Sequence, residues 1–184
     1  VNKGGNGVKG HLKAAVKGSL LDAEGRNKKN ISNPQLGKVR EPIMRFLAWA
    51  RAFNASSAAD SWNLGDTSDP SIKLGQSPLR SPSVFNFFRP GYVPPNSAIA
   101  AASLVAPEFQ IANESSVVGY VNFMQNAVSH GGGVGDLLAD YSSLLPLADN
   151  ATSLLDEINL LIAAGQISEA TMVTLRSAVG SSAW

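Results

Sequence analysis

Cysteine is absent from the 184 residues, which excludes disulfides, cysteine nucleophiles and thiolate metal sites. Histidine is nearly absent too: only His11 and His130 occur. No H-E-x-x-H helix can therefore be written, and no G-x-S-x-G elbow presents a serine nucleophile. Charged residues make up only 16%. Long apolar runs are missing. The longest, around Ala98–Ala106, is broken by Ser103 and ended by Pro107, far short of the roughly 20 residues of a membrane span. No segment has the basic, apolar, small-residue order of a signal peptide. The chain opens on Val1 rather than Met, so a processed or truncated N-terminus is an open reading, and on that reading the missing signal is uninformative.

What is present is a chain with 44% hydrophobic residues, enough to bury a core and too apolar for a disordered tail. Its net charge of +1 hides a division. Residues 1–54 carry eleven Lys and Arg against three acids, a net of +8, and residues 55–184 carry four against eleven, a net of −7. Such a dipole suits one end to acidic partners, unless the halves face each other or stay solvated.

Along the chain the apolar spacing is helical. Val8, Leu12, Val16 and Leu20 form a stripe over Val8–Leu21, with Lys9, Lys13 and Lys17 in a parallel row. Residues 26–34 read as a loop. Pro42 suits the first turn of a second helix carrying Ile43, Phe46, Leu47, Ala50 and Phe53. Asn54–Gly75 has no clear period and reads as a long loop bearing Trp62. Ser81–Pro82 predicts a short helix ending before Pro90, followed by extended Gly91–Pro95 and a helical stretch over Ala98–Val105. Pro107 opens a brief turn. Asn113 caps a longer helix with Val117, Val118, Val121, Met124 and Val128, which Gly131–Gly133 stops. Two further helices, Ala151–Ala164 closed by Gly165 and Glu169–Val179 capped by Ser168, form a hairpin. The reading is all-α: an irregular helical domain with long loops and a C-terminal helical hairpin. Within 1–184 it divides into a basic helical segment (1–54), a loop-rich segment (55–106) and a helical segment (107–184).

The candidate chemistry is thin. Gly5, Gly7 and Gly10 match G-x-G-x-x-G, but a dinucleotide site needs a preceding strand and an acid about 20 residues on, and neither is present. A flexible turn explains the spacing better. Gly131–Gly135 lacks the Lys-Ser ending of a phosphate loop and reads as a helix stop and hinge. Asp136 and Asp140 are spaced to share a helix face, and Asp66 and Asp69 precede Pro70. Neither pair has the density of a calcium loop, so caps and solvated acids are expected. Phe85, Phe87, Phe88 and Tyr92, flanked by Arg80 and Arg89, could stack on bases or sugars. A core plug is the favoured reading. Lys9, Lys13, Lys17, Lys28 and Lys29 form a possible face for an acidic partner, although nucleic acid is not the expected one. No catalytic residue, metal or cofactor is expected.

Four blocks carry a family resemblance: Gly7–Arg26, with its Leu20-Leu21-Asp22-Ala23-Glu24-Gly25-Arg26 phrase; Gly37–Arg45; Leu79–Pro95; and Ala106–Glu114. In this order they resemble the C-terminal part of a bacterial family catalogued as Domain of Unknown Function 1800. The resemblance implies a mostly helical fold and a longer protein of which this chain is the C-terminal portion. It also implies export to the periplasm or beyond, and genes that neighbour a second exported family with a sulfatase-like fold. No activity comes with it. Its recurring positions here are Arg40, Glu41, Pro42, Arg80, Pro82, Phe85, Asn86, Arg89, Pro90, Glu108, Phe109, Asn113 and Glu114, expected to be structural. Arg80 or Arg89 is expected to pair with Glu108 or Glu114, and Leu79–Pro95 to be a buried organising element. The functional expectation is a non-catalytic structural or interaction role, through self-association or with another exported protein. The alternative is the support portion of a hydrolase whose catalytic groups lie upstream.

Overall fold

The computed structural model of the chain describes residues 9–30, 33, 35–129 and 133–180. Among these, the helices are α1 (Leu12–Leu21), α2 (Ala23–Arg26), α3 (Pro42–Ala52), α4 (Ala98–Ala101), α5 (Glu114–Ser129), α6 (Ala151–Ala163) and α7 (Glu169–Gly180). Three two-residue strands, β1 (Ser56–Ser57), β2 (Gly133–Val134) and β3 (Leu137–Leu138), form an antiparallel sheet in the order β1-β3-β2. The fold is mainly helical, as expected. The sheet is not in the sequence reading, because two residues cannot display the alternation that marks a strand.

Helix α1 starts four residues later than its apolar stripe suggests. Gly10 has φ +81°, and His11 then caps the helix by accepting the Ala14 N–H at Nδ1, 3.0 Å away. Val8, which the expected helix included, lies outside the described residues. Helix α3 matches expectation, and its first free N–H is satisfied from afar. Pro42 has no N–H to offer, and the Ile43 N–H donates to Gln76 Oε1 at 3.2 Å. The Gln76 amide donates in turn to Glu41 Oε2. The buried Gln76 is anchored by its own backbone, whose carbonyl accepts from Thr67 Oγ1 at 2.7 Å.

The core gathers on α3. Phe46, Trp49, Ala50 and Phe53 meet Phe123 and Ala127 of α5, Leu137 of β3, Leu74 and Leu144. The Phe46 ring lies 5.4 Å from Trp49 and edge-on to Phe123 at 5.7 Å. Pairs of this kind add about 0.5–1.5 kcal/mol beyond the area they bury. Helix α5 is capped as expected, with Asn113 Oδ1 accepting from the Ser115 and Ser116 N–H groups. It packs through small residues, Ser116, Gly119 and Ala127, besides Phe123. Its valines Val117, Val118, Val121 and Val128 are exposed.

Helices α6 and α7 form the expected hairpin, with Ala164 and Gly165 both left-handed at the turn. Arg176 ties them together, donating to Glu169 Oε1 at 2.7 Å and Asp156 Oδ1 at 3.0 Å.

Two expected helices are corrected. Ser81–Arg89 forms turns instead. The Ser81 hydroxyl donates to the Ser83 carbonyl, Ser83 Oγ accepts the Phe85 N–H, and Asn86 is left-handed at φ +70°. Local side-chain bonds thus take up the groups a helix would use. The 98–105 stretch stops at Ala101 because Ser103 turns left-handed. The Leu104 and Ser103 N–H groups then close on the Ile99 and Ala100 carbonyls, a Schellman ending. Asp136 and Asp140 share no helix. Asp136 lies in the β2–β3 turn and Asp140 just after β3.

Candidate functional site

The first part of the Leu79–Pro95 block, residues 79–86, lies on the surface. Leu79 is 105% exposed, Val84 94% and Phe85 70%. Phe87, Phe88 and Tyr92 are half-buried, while Pro82, Asn86 and Pro90 are exposed. The expected core plug is therefore corrected: with no helix to pair their faces, the turns of 81–89 display apolar side chains outward.

The expected ion pairs are corrected too. Arg80 pairs with Asp66 at 2.9 Å on the surface, and Glu108 pairs with Lys38 at 3.2 Å. Glu108 itself is buried, whereas Lys38 is mostly exposed. Arg89 approaches that region only through its backbone, its N–H donating to Gln110 Oε1 at 2.8 Å. Glu114 is exposed in the first turn of α5, where its charge complements the helix dipole. Asn113 is the cap of the same helix, and Phe109 is half-buried in the 3-10 turn Pro107–Gln110.

The lysine row is exposed: Lys9 in the turn before α1, Lys13 and Lys17 on it, and Lys28 and Lys29 in a 3-10 turn. Helix α1 buries none of its residues, so its stripe of Leu12, Val16 and Leu20 is exposed as well. Gly5, Gly7, His130 and Gly131 lie outside the described residues.

The acids behave as structural groups. Asp66 and Asp69 each accept the N–H and hydroxyl of the serine two residues on, which lowers both pKa values. Asp140 is lowered similarly by Ser142. Asp136 is the most perturbed. Hydrogen bonds from the Ser57 and Ser61 hydroxyls hold it at about 2. Such a carboxylate is a weaker base than usual, and its serines are locked as donors to it. Ser57 Oγ also accepts the Ser61 and Trp62 N–H groups, so the trio orders a loop. Among the described residues no three of His, Asp and Glu gather as a metal site requires, and no helix is long and apolar enough to cross a membrane.

Sequence reasoning missed a cavity of about 880 Å³ between α3, α5 and α6. Ala48, Met124, Val128, Leu154, Ile158 and Ile162 supply much of its apolar wall, and the exposed Arg40 is also part of its lining. On the α3 side Arg45 lies over the Tyr120 ring, 4.0 Å from guanidinium carbon to centroid, and its buried Nε has no hydrogen-bond partner. Trp49 donates to the Tyr141 hydroxyl at 3.0 Å. Burial raises the pKa of both Tyr120 and Tyr141, so both phenols stay neutral at neutral pH. The helical periods of Trp49, Met124 and Ile158 were legible, but not that their faces leave a gap.

A family model described as a protein of unknown function (DUF1800) matches residues 5–183. The chain belongs to that family. Membership agrees with the resemblance carried by Leu79–Pro95 and Ala106–Glu114, and it brings no assigned catalytic residue. No curated protein and no solved structure matches the chain.

Proposed function

We propose that this member of the DUF1800 family is an exported bacterial protein with a non-catalytic, interaction role, acting by association with further copies of itself. The observation that carries the reading is the display of Leu79, Val84 and Phe85 on one exposed turn segment. Large apolar groups grouped on a surface mark interaction sites more often than chance exposure does. The charge division supplies complementarity, since a basic N-terminal segment on one copy can meet an acidic segment on the next in a head-to-tail contact. Export, and another exported protein as partner, rest on the family resemblance alone.

Sedimentation velocity over a concentration series tests the self-association. The wild-type chain should associate as concentration rises. Leu79→Ser with Phe85→Ser should stay monomeric while keeping the wild-type helical circular dichroism. A wild-type chain that is monomeric throughout sinks the reading.

A further inference from the structure

The cavity between α3, α5 and α6 has a chemistry that names its ligand. Its volume, about 880 Å³, falls in the range of small-molecule sites, which are apolar with a few placed polar groups. Two arginines line it, Arg40 and Arg45; Arg40 is exposed, and Arg45 is the one held within the fold. Its guanidinium is fixed over Tyr120 at 4.0 Å, and its Nε is buried without an acceptor. The contact with the ring satisfies the charge in part, but it leaves the N–H without a lone pair. No acidic side chain lines the cavity, and among the described residues Arg45 has no ion pair. The Nε atom is enclosed by protein, so it is the terminal nitrogens of Arg45 that are left to meet an anionic oxygen acceptor brought by something else.

We propose that this cavity binds an amphipathic monocarboxylate, with the acid head on the Arg45 guanidinium and an alkyl chain along Met124, Leu154 and Ile158. The planar fork of a guanidinium matches a carboxylate with two parallel hydrogen bonds. A phosphate dianion fits less well, because the walls around Arg45 are apolar and the second lining arginine, Arg40, is solvent-exposed. The chain portion gains by leaving water for the aliphatic wall. This site is separate from the exposed Leu79–Phe85 segment and does not depend on self-association.

Isothermal titration calorimetry of the full chain tests the proposal, with dodecanoate and 1-dodecanol as probes below their aggregation concentrations. Dodecanoate should bind saturably at one site and at least about tenfold more tightly than the alcohol, the scale of a charge-assisted hydrogen bond. Arg45→Met should bring the acid down to the affinity of the alcohol and leave the alcohol unchanged. Arg45→Lys, which keeps the charge but loses the fork, should fall between and covers the case in which the methionine variant does not fold. Ile158→Trp, filling the chain region, should weaken both probes. Absence of saturable dodecanoate binding overturns the proposal. So does equal affinity for acid and alcohol, or an acid affinity that neither Arg45 variant changes.

Discussion

Asp136 and Gln76 show how single side chains hold this fold across long sequence distances. Gln76 reaches back to Ile43 and Glu41, replacing the cap that Glu41 does not supply by its own side chain. Asp136 collects the hydroxyls of Ser57 and Ser61, and its pKa of about 2 lies below the ordinary 3.8. A group lowered on folding stabilises the native state above its unfolded pKa and loses that contribution as pH falls through the folded one. The 57–62 loop should therefore loosen between about pH 4 and pH 2, while its hold is constant at neutral pH. Trp62, whose N–H is held by Ser57 Oγ, sits in the affected loop. Its fluorescence should change across that interval when Asp136 is present and not in Asp136→Asn, with Trp49→Phe and Trp184→Phe as the common background that leaves Trp62 as the one emitter. The same acid titration in both chains would show that Asp136 is not the group responsible.

At the scale of elements, the decisive contact is that of α5 with the 66–77 loop. A Cβ built on Gly119 would lie 2.4 Å from the Pro70 carbonyl oxygen and 2.7 Å from the Ser71 carbonyl carbon. Backbone approaches backbone there, so nothing flexible can yield. Gly119→Ala should gain about 1 kcal/mol of helix propensity and lose more to overpacking, which costs roughly 1–3 kcal/mol. The net effect expected in urea unfolding is a lower midpoint. Gly18→Ala in α1 meets nothing within 4 Å, and the same exchange should raise helicity there. A stabilised Gly119→Ala would mean that the loop does not press on α5. Gly135 shows the same logic in the β2–β3 turn: it has φ +64° and would place a Cβ 2.0 Å from the Asn63 oxygen. That hairpin also explains why a run read as a hinge ends in ordered structure, since glycine at the first turn position suits a two-residue hairpin loop.

Over the whole molecule, apolar surface and charge are both distributed unevenly. The α1 stripe, the valines of α5 and the Leu79–Phe85 turns are exposed, while the aromatic core is confined to α3, α5 and their neighbours. The +8 segment contains the exposed lysines of α1, and the −7 segment follows it. If head-to-tail attraction contributes to assembly, raising salt from about 0.1 M to about 1 M, which cuts the Debye length from roughly 10 to 3 Å, should weaken association measurably. Light scattering across that range reads the effect. An assembly equally strong at both ends would be held by its apolar contacts alone.

Composition and local spacing were sufficient for the helical class and for α3, α5, α6 and α7, because each carries its own period and its own start or stop signal. Pro42 at a first turn, Asn113 as a cap and the Gly165 turn act within a few residues, so no partner was needed to read them. The missing cysteines and sparse histidines likewise removed whole chemistries without reference to shape. Leu79–Pro95 went the other way. Its proline and aromatics were legible, but serine hydroxyls and a left-handed Asn86 competed with the helix, and only packing settled which face the aromatics took. The Arg80–Asp66 and Lys38–Glu108 pairs, the Gln76 bridge, the Asp136 trio and the Arg45 cavity all join residues from separate parts of the chain. No periodicity encodes such meetings, since they depend on how helices and loops fit once the chain has closed on itself.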